Sequence, residues 1–178
     1  YILGMCLRIH PLIAVFGAIA VSFSSYEIII LQAGHNSKAI AVAFMAPVVG
    51  AFLMAYRKNW KWGVILSAIF MSFQLAANHL QVTYYIAILL LAMGGFELFQ
   101  AYKKKEIKSF IITSSALIGA YLLSFLINYG NIALTNDYAK HTIRGKNEVT
   151  INPDGTEASQ QSAGLDKDYI TRWSYGKG

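Results

Sequence analysis

Charge is scarce in this chain of 178 residues: Asp, Glu, Lys and Arg together make up 13% of it, where a soluble domain carries about a quarter. Cysteine is reduced to Cys6, which excludes an internal disulfide and any zinc site built from cysteines. Proline occurs three times, and no Asn-x-Ser/Thr sequon occurs anywhere. Acids are scarcest of all. Residues 1–130 hold Glu27, Glu97 and Glu106 against nine basic residues, whereas residues 131–178 hold six of each sign and net zero. The +6 formal charge therefore sits entirely in the first part, between long uncharged windows that no soluble core requires. These shortages describe an all-α, multi-pass membrane protein. A pI near 9.4 would suggest nucleic acid in a soluble chain. Here the basic residues lie in short loops between apolar runs, with no basic helix face, so no nucleic-acid partner is expected.

Crossing ~30 Å of hydrocarbon takes about 20 helical residues, and five stretches approach that: 11–31, 38–56, 62–77, 82–102 and 109–129. The third is the shortest. Residues 1–7 read as the end of an earlier span turning at Arg8, Ile9 and His10, with Pro11 placed in a first helical turn, where its missing N–H costs nothing. The chain opens on Tyr inside an apolar stretch, with no basic leader and no small-residue cleavage pattern. It is expected to be an internal piece of a longer protein. Pro47 should kink the second span, and Gly94 with Gly95 should interrupt the fourth.

Orientation follows from the loops, because Lys and Arg concentrate in short cytoplasmic ones. Alternate connections carry Arg8, then Arg57, Lys58 and Lys61, then Lys103, Lys104, Lys105 and Lys108; the opposite set carries Lys38 alone. The short loops around residues 34–38 and 78–81, and the polar segment 131–178, then lie outside. Within that segment, 131–142 extends the fifth helix, 148–157 reads as two short strands about the turn Asn152–Pro153–Asp154–Gly155, and 164–175 suits a helix. The expected organisation is a helical membrane region over 1–130 and a small mixed extracytoplasmic segment over 131–178.

Polar residues near the outer ends of the spans are the candidates for function. Glu27 sits about one turn from the boundary, where a carboxylate either snorkels or serves a site. Gly34 suits a helix C-cap and Asn36 or Ser37 an N-cap, which leaves His35 and Lys38 unexplained by local structure. Asn78, His79 and Gln81 occupy the second outer loop, followed by Tyr84 and Tyr85 at interfacial depth. His35, His79 and His141 share the outer side, but no His pair has the i, i+4 spacing of a helical metal site, so no metal ligands are assigned. A divalent metal is the one cofactor left open.

Several strings carry a resemblance: SSYEIIILQAGHNSKAIAVAFMAP from Ser24, ANHLQVTYY from Ala77, YAKHTIRGKNE from Tyr138 and GLDKDYITRWSYGKG from Gly164. Over its whole length the chain resembles an internal slice of the YfhO-type bacterial membrane proteins, in their Bacteroidota form. That resemblance implies a GT-C-like glycosyltransferase of the bacterial cytoplasmic membrane. Such an enzyme moves a sugar from a polyprenyl-phosphate carrier to an envelope glycan or lipid on the extracytoplasmic side. It also implies a catalytic acid in a first external loop, which would precede Tyr1, so no catalytic residue is assigned and Glu27 is no match for it. Lys38 and Arg144 are the expected phosphate contacts, while His35, Asn36, Asn78, His79 and Gln81 are expected to bind sugar hydroxyls or align the acceptor. The alternatives are a transporter or flippase of lipid-linked glycans, with Pro47 and the Gly94–Gly95 pair as moving parts, and a non-catalytic membrane subunit.

Overall fold

The computed structural model describes residues 1–140, and over them the chain is helical throughout. Seven helices follow one another: α1 (Ile2–Cys6), α2 (Pro11–Ser22), α3 (Ser25–Gln32), α4 (Asn36–Arg57), α5 (Trp60–Ala76), α6 (Leu80–Lys104) and α7 (Ile107–Lys140). Contacts divide the chain into two units, Tyr1–Tyr129 and Gly130–Gly178. The strands expected at 148–157 and the helix expected at 164–175 lie outside the described residues.

Among the described residues three helices, α4, α6 and α7, are long and apolar enough to cross a membrane, and the α2–α3 pair makes a fourth if it is one bent span. α5 is apolar but has 17 residues, about 25 Å of helix, just under the hydrocarbon thickness. The first expected span is broken. Ser24 lies between α2 and α3 in an extended conformation, and its side chain accepts a hydrogen bond from the Glu27 backbone N–H at 3.4 Å, so a new helix starts and the axis bends by 40°. The sequence Ser24-x-x-Glu27 is the spacing of a capping box. The fourth expected span departs the other way: α6 runs through Gly94 and Gly95 without interruption. Membrane helices tolerate glycine because an unbroken backbone ladder is the only way to satisfy N–H and C=O groups in hydrocarbon.

α4 is the hub of the first unit, packing on α1, α3, α5 and α6. It does so with small residues: Ala39, Ala41, Gly50, Ala51 and Ala55 are all buried, which lets neighbouring backbones approach closely. The α4–α5 hairpin depends on this. A Cβ placed on Gly63 would sit 2.2 Å from the Ala55 backbone nitrogen, so glycine is required where the two helices leave their turn. Asn59 caps α5 by accepting from the Trp62 backbone N–H at 3.3 Å.

Hydroxyl and amide side chains hold α7 against the hairpin. Ser124 Oγ donates to the Ala68 carbonyl at 2.8 Å, and Asn128 Nδ2 donates to the Ser72 carbonyl at 3.2 Å. Ser114 Oγ and Tyr56 OH are 2.7 Å apart. Such bonds replace the hydrophobic drive that lipid-immersed helices lack.

The helix ends repeat one device. Gly34 takes a φ of +78°, with its N–H bonded to the Leu31 carbonyl and the His35 N–H to the Ile30 carbonyl, the paired bonds of a Schellman cap. Lys105 closes α6 in the same way at a φ of +59°. Asn78 follows α5 at a φ of +54°, a conformation that asparagine tolerates better than most residues. The expected glycine cap at 34 is therefore present, whereas the N-cap of α4 is His35, with neither Asn36 nor Ser37 in that role.

Candidate functional site

Chain reversal brings both sets of loop residues to one end of the bundle. α4 begins at Asn36, α5 ends at Ala76 and α6 begins at Leu80, so His35, Asn36 and Lys38 share an end with Asn78, His79 and Gln81. Lys38 Nζ lies 5.4 Å from the centre of the Tyr26 ring, a cation–π contact that ties the first turn of α4 to α3. Gln81 Nε2 donates to Tyr85 OH at 3.0 Å along the α6 surface. His79 is the N-cap of α6 through its backbone, and its carbonyl accepts from Thr83 Oγ1 at 3.3 Å. None of these six residues lines either of the two cavities described below. Arg144 and His141 lie outside the described residues, and among those described no three His, Cys, Asp or Glu side chains gather to hold a metal.

The same end holds a polar group that loop composition alone does not reveal. Gln74 is fully buried in α5, and its Oε1 is 3.2 Å from Thr83 Oγ1 of α6. Its Nε2 and the Nδ1 of His79 are buried without a hydrogen-bond partner among the described residues. Buried donors and acceptors are nearly always paired, so unsatisfied ones at a helix-bundle mouth mark a place that can accept polar groups. A glutamine inside an apolar run is the sequence signal for it.

Two cavities flank the bundle. The first is an apolar groove of about 830 Å³ between α2 and α4, bordered by α1 and α3. It follows α4 from Ala39 to Pro47 and includes Glu27 and Leu31. Since Ala39 and Ile40 line it, it ends beside Lys38 in the first turn of α4.

The second, about 620 Å³, is a polar cleft at the opposite, basic end among α4, α6 and α7. Arg57, at the end of α4, reaches Glu97 of α6: Nε donates to Oε1 at 2.8 Å, and Nη2 donates to the same oxygen. The Glu97 side chain is 9% exposed and that of Arg57 47%. Glu97 is therefore a buried carboxylate neutralised by a guanidinium that still reaches water. Sequence reasoning counts Glu97 among the rare acids without giving it a role. The available signal is an acid inside a span near the depth at which Arg57 ends another.

No family model, curated protein or solved structure matches the chain.

Proposed function

We propose that the chain is part of a multi-pass bacterial inner-membrane glycosyltransferase of the GT-C kind, which takes a sugar from a polyprenyl-phosphate donor and transfers it to an envelope glycan or lipid outside the membrane. The observation that supports this reading best is the apolar groove along α4 that ends beside Lys38. An isoprenoid tail fits an apolar groove exposed to lipid. Its phosphate would then lie by the Lys38 ammonium and the N-terminal turn of α4, whose free N–H groups favour an anion. His35, Asn36, Asn78, His79 and Gln81, with the unsatisfied Gln74 Nε2, supply hydrogen-bonding groups for sugar hydroxyls and the acceptor.

The proposal counts five spans: α2 with α3 as one broken span, then α4, α5, α6 and α7. Positive-inside orientation puts Arg57, Lys58, Lys61 and Lys103–Lys105 in the cytoplasm and the mixed segment after α7 outside. The test is binding of a polyprenyl-phosphate sugar to the intact protein in lipid nanodiscs. Lys38→Ala should weaken binding by ~1–3 kcal/mol, the loss of a charged hydrogen bond. Unchanged affinity in this variant would overturn the donor site.

A second reading, a flippase for lipid-linked glycans, is favoured by one observation, the 40° break between α2 and α3. Broken helices line the pathways of many transporters. Sugar transfer without lipid translocation in proteoliposomes supports the enzyme, and translocation without transfer supports the flippase.

A further inference from the structure

The polar cleft at the basic end has no part in the donor site, which lies at the other end of α4. Its charged lining residues are Arg57, Glu97, Lys104 and Glu106, joined by the Ser109 and Thr113 hydroxyls of α7. Taken alone the four charges cancel. The cleft, however, sits in the field of Lys58, Lys61, Lys103, Lys105 and Lys108, with Glu97 and Glu106 as the acids at this end among the described residues, so an anion is concentrated there.

Glu97 determines what Arg57 can do. Both bonds to its Oε1 come from Nε and Nη2, which fixes the plane of the guanidinium and leaves Nη1 outside the pair. The Phe96 ring, 6.0 Å from the guanidinium carbon, flanks it. A guanidinium held by a buried carboxylate while half-exposed in a cleft is preorganised for a second oxyanion, since it loses little side-chain freedom on binding. Lys104, on the cleft wall, adds a mobile point charge, and Ser109 and Thr113 add hydroxyl donors.

We propose that this cleft is a phosphate-binding site, with Arg57 and Lys104 contacting the phosphoryl oxygens and Glu97 as the residue that positions Arg57. The phosphate belongs either to the headgroup of an anionic phospholipid in the adjoining leaflet or to a soluble phosphate compound. The volume accommodates more than a bare phosphate, within the usual range for ligand pockets.

The intact protein would be studied in two arms. One measures retention of phosphatidylglycerol against phosphatidylcholine in mixed nanodiscs by native mass spectrometry. The other measures pyrophosphate binding in phosphatidylcholine nanodiscs by calorimetry. Preference in the first arm assigns a lipid headgroup and binding in the second a soluble ligand; either result supports the site, and a negative result in both arms overturns it. In the positive arm, Lys104→Ala and Arg57→Lys should each weaken binding about tenfold, the equivalent of one charged hydrogen bond. Lys61→Ala, which carries the same charge change outside the cleft lining, should alter it less than twofold. Glu97→Gln is the sharpest variant, because it makes the cleft more positive while freeing Arg57. Weaker binding in Glu97→Gln supports the positioned guanidinium; tighter binding, or equal losses in Lys104→Ala and Lys61→Ala, reduces the effect to general charge and overturns the site.

Discussion

Arg57 and Glu97, forty residues apart in the chain, join α4 to α6 through two hydrogen bonds to one carboxylate oxygen. Replacing Arg57 by Met would strand a buried carboxylate. Breaking a fully buried pair costs ~3–5 kcal/mol, but Arg57 is half-exposed and solvent screens part of the interaction, so ~1–3 kcal/mol is expected. The double variant Arg57→Met/Glu97→Leu removes both charges and should recover most of the loss. Thermal melting of the three proteins in one detergent checks the order.

The α4–α5 crossing predicts a contrast between two glycines. Gly63→Ala forces a methyl group into the Ala55 backbone and should destabilise by ~1–3 kcal/mol, the usual cost of overpacking. A Cβ on Gly17 meets nothing within 4 Å, so Gly17→Ala should be neutral or slightly stabilising. Equal melting temperatures for the two variants would contradict the close crossing.

Ser124→Ala removes the hydroxyl that reaches the Ala68 carbonyl of α5. Interhelical hydrogen bonds in membranes average ~0.6 kcal/mol and reach ~1.7 at most, so a loss within that range is expected. A double-mutant cycle with Asn128→Ala, whose amide reaches Ser72 one turn further on, should show coupling between the two. Strict additivity would mean that the contacts act separately.

Lys105 holds a left-handed conformation at the end of α6, which costs a residue with a side chain ~1–2 kcal/mol and glycine almost nothing. Lys105→Gly should raise the melting temperature and, because Lys105 contributes to the field at the cleft without lining it, alter anion binding there less than twofold.

How far the helices could be read from sequence depended on what ends them. The apolar runs expected at 38–56 and 82–102 appear as α4 and α6, each extended by about two residues at either end or one at the last turn of α4, because Arg57, Lys103 and Lys104 stay helical while their charges reach water. The break at Ser24 was written in the Ser24-x-x-Glu27 spacing but masked by apolar residues on both sides. Gly94 and Gly95 suggest a break that the backbone ladder does not permit. The loop residues at 35–38 and 78–81 were legible as polar groups at span ends, and chain reversal alone places them together. Gln74 with Thr83, and Arg57 with Glu97, were not legible, since a pair between helices depends on axial rotation, which hydropathy does not encode.

The proposed function rests on which end of the helices faces outward, and this is measured by accessibility of single cysteines to a membrane-impermeant reagent. In a Cys6-free background, cysteines at positions 35 and 79 should label in intact cells, and cysteines at positions 58 and 104 only after permeabilisation. Labelling of position 104 with protection of position 35 would place Lys38 and the groove's end in the cytoplasm and contradict an extracytoplasmic donor site.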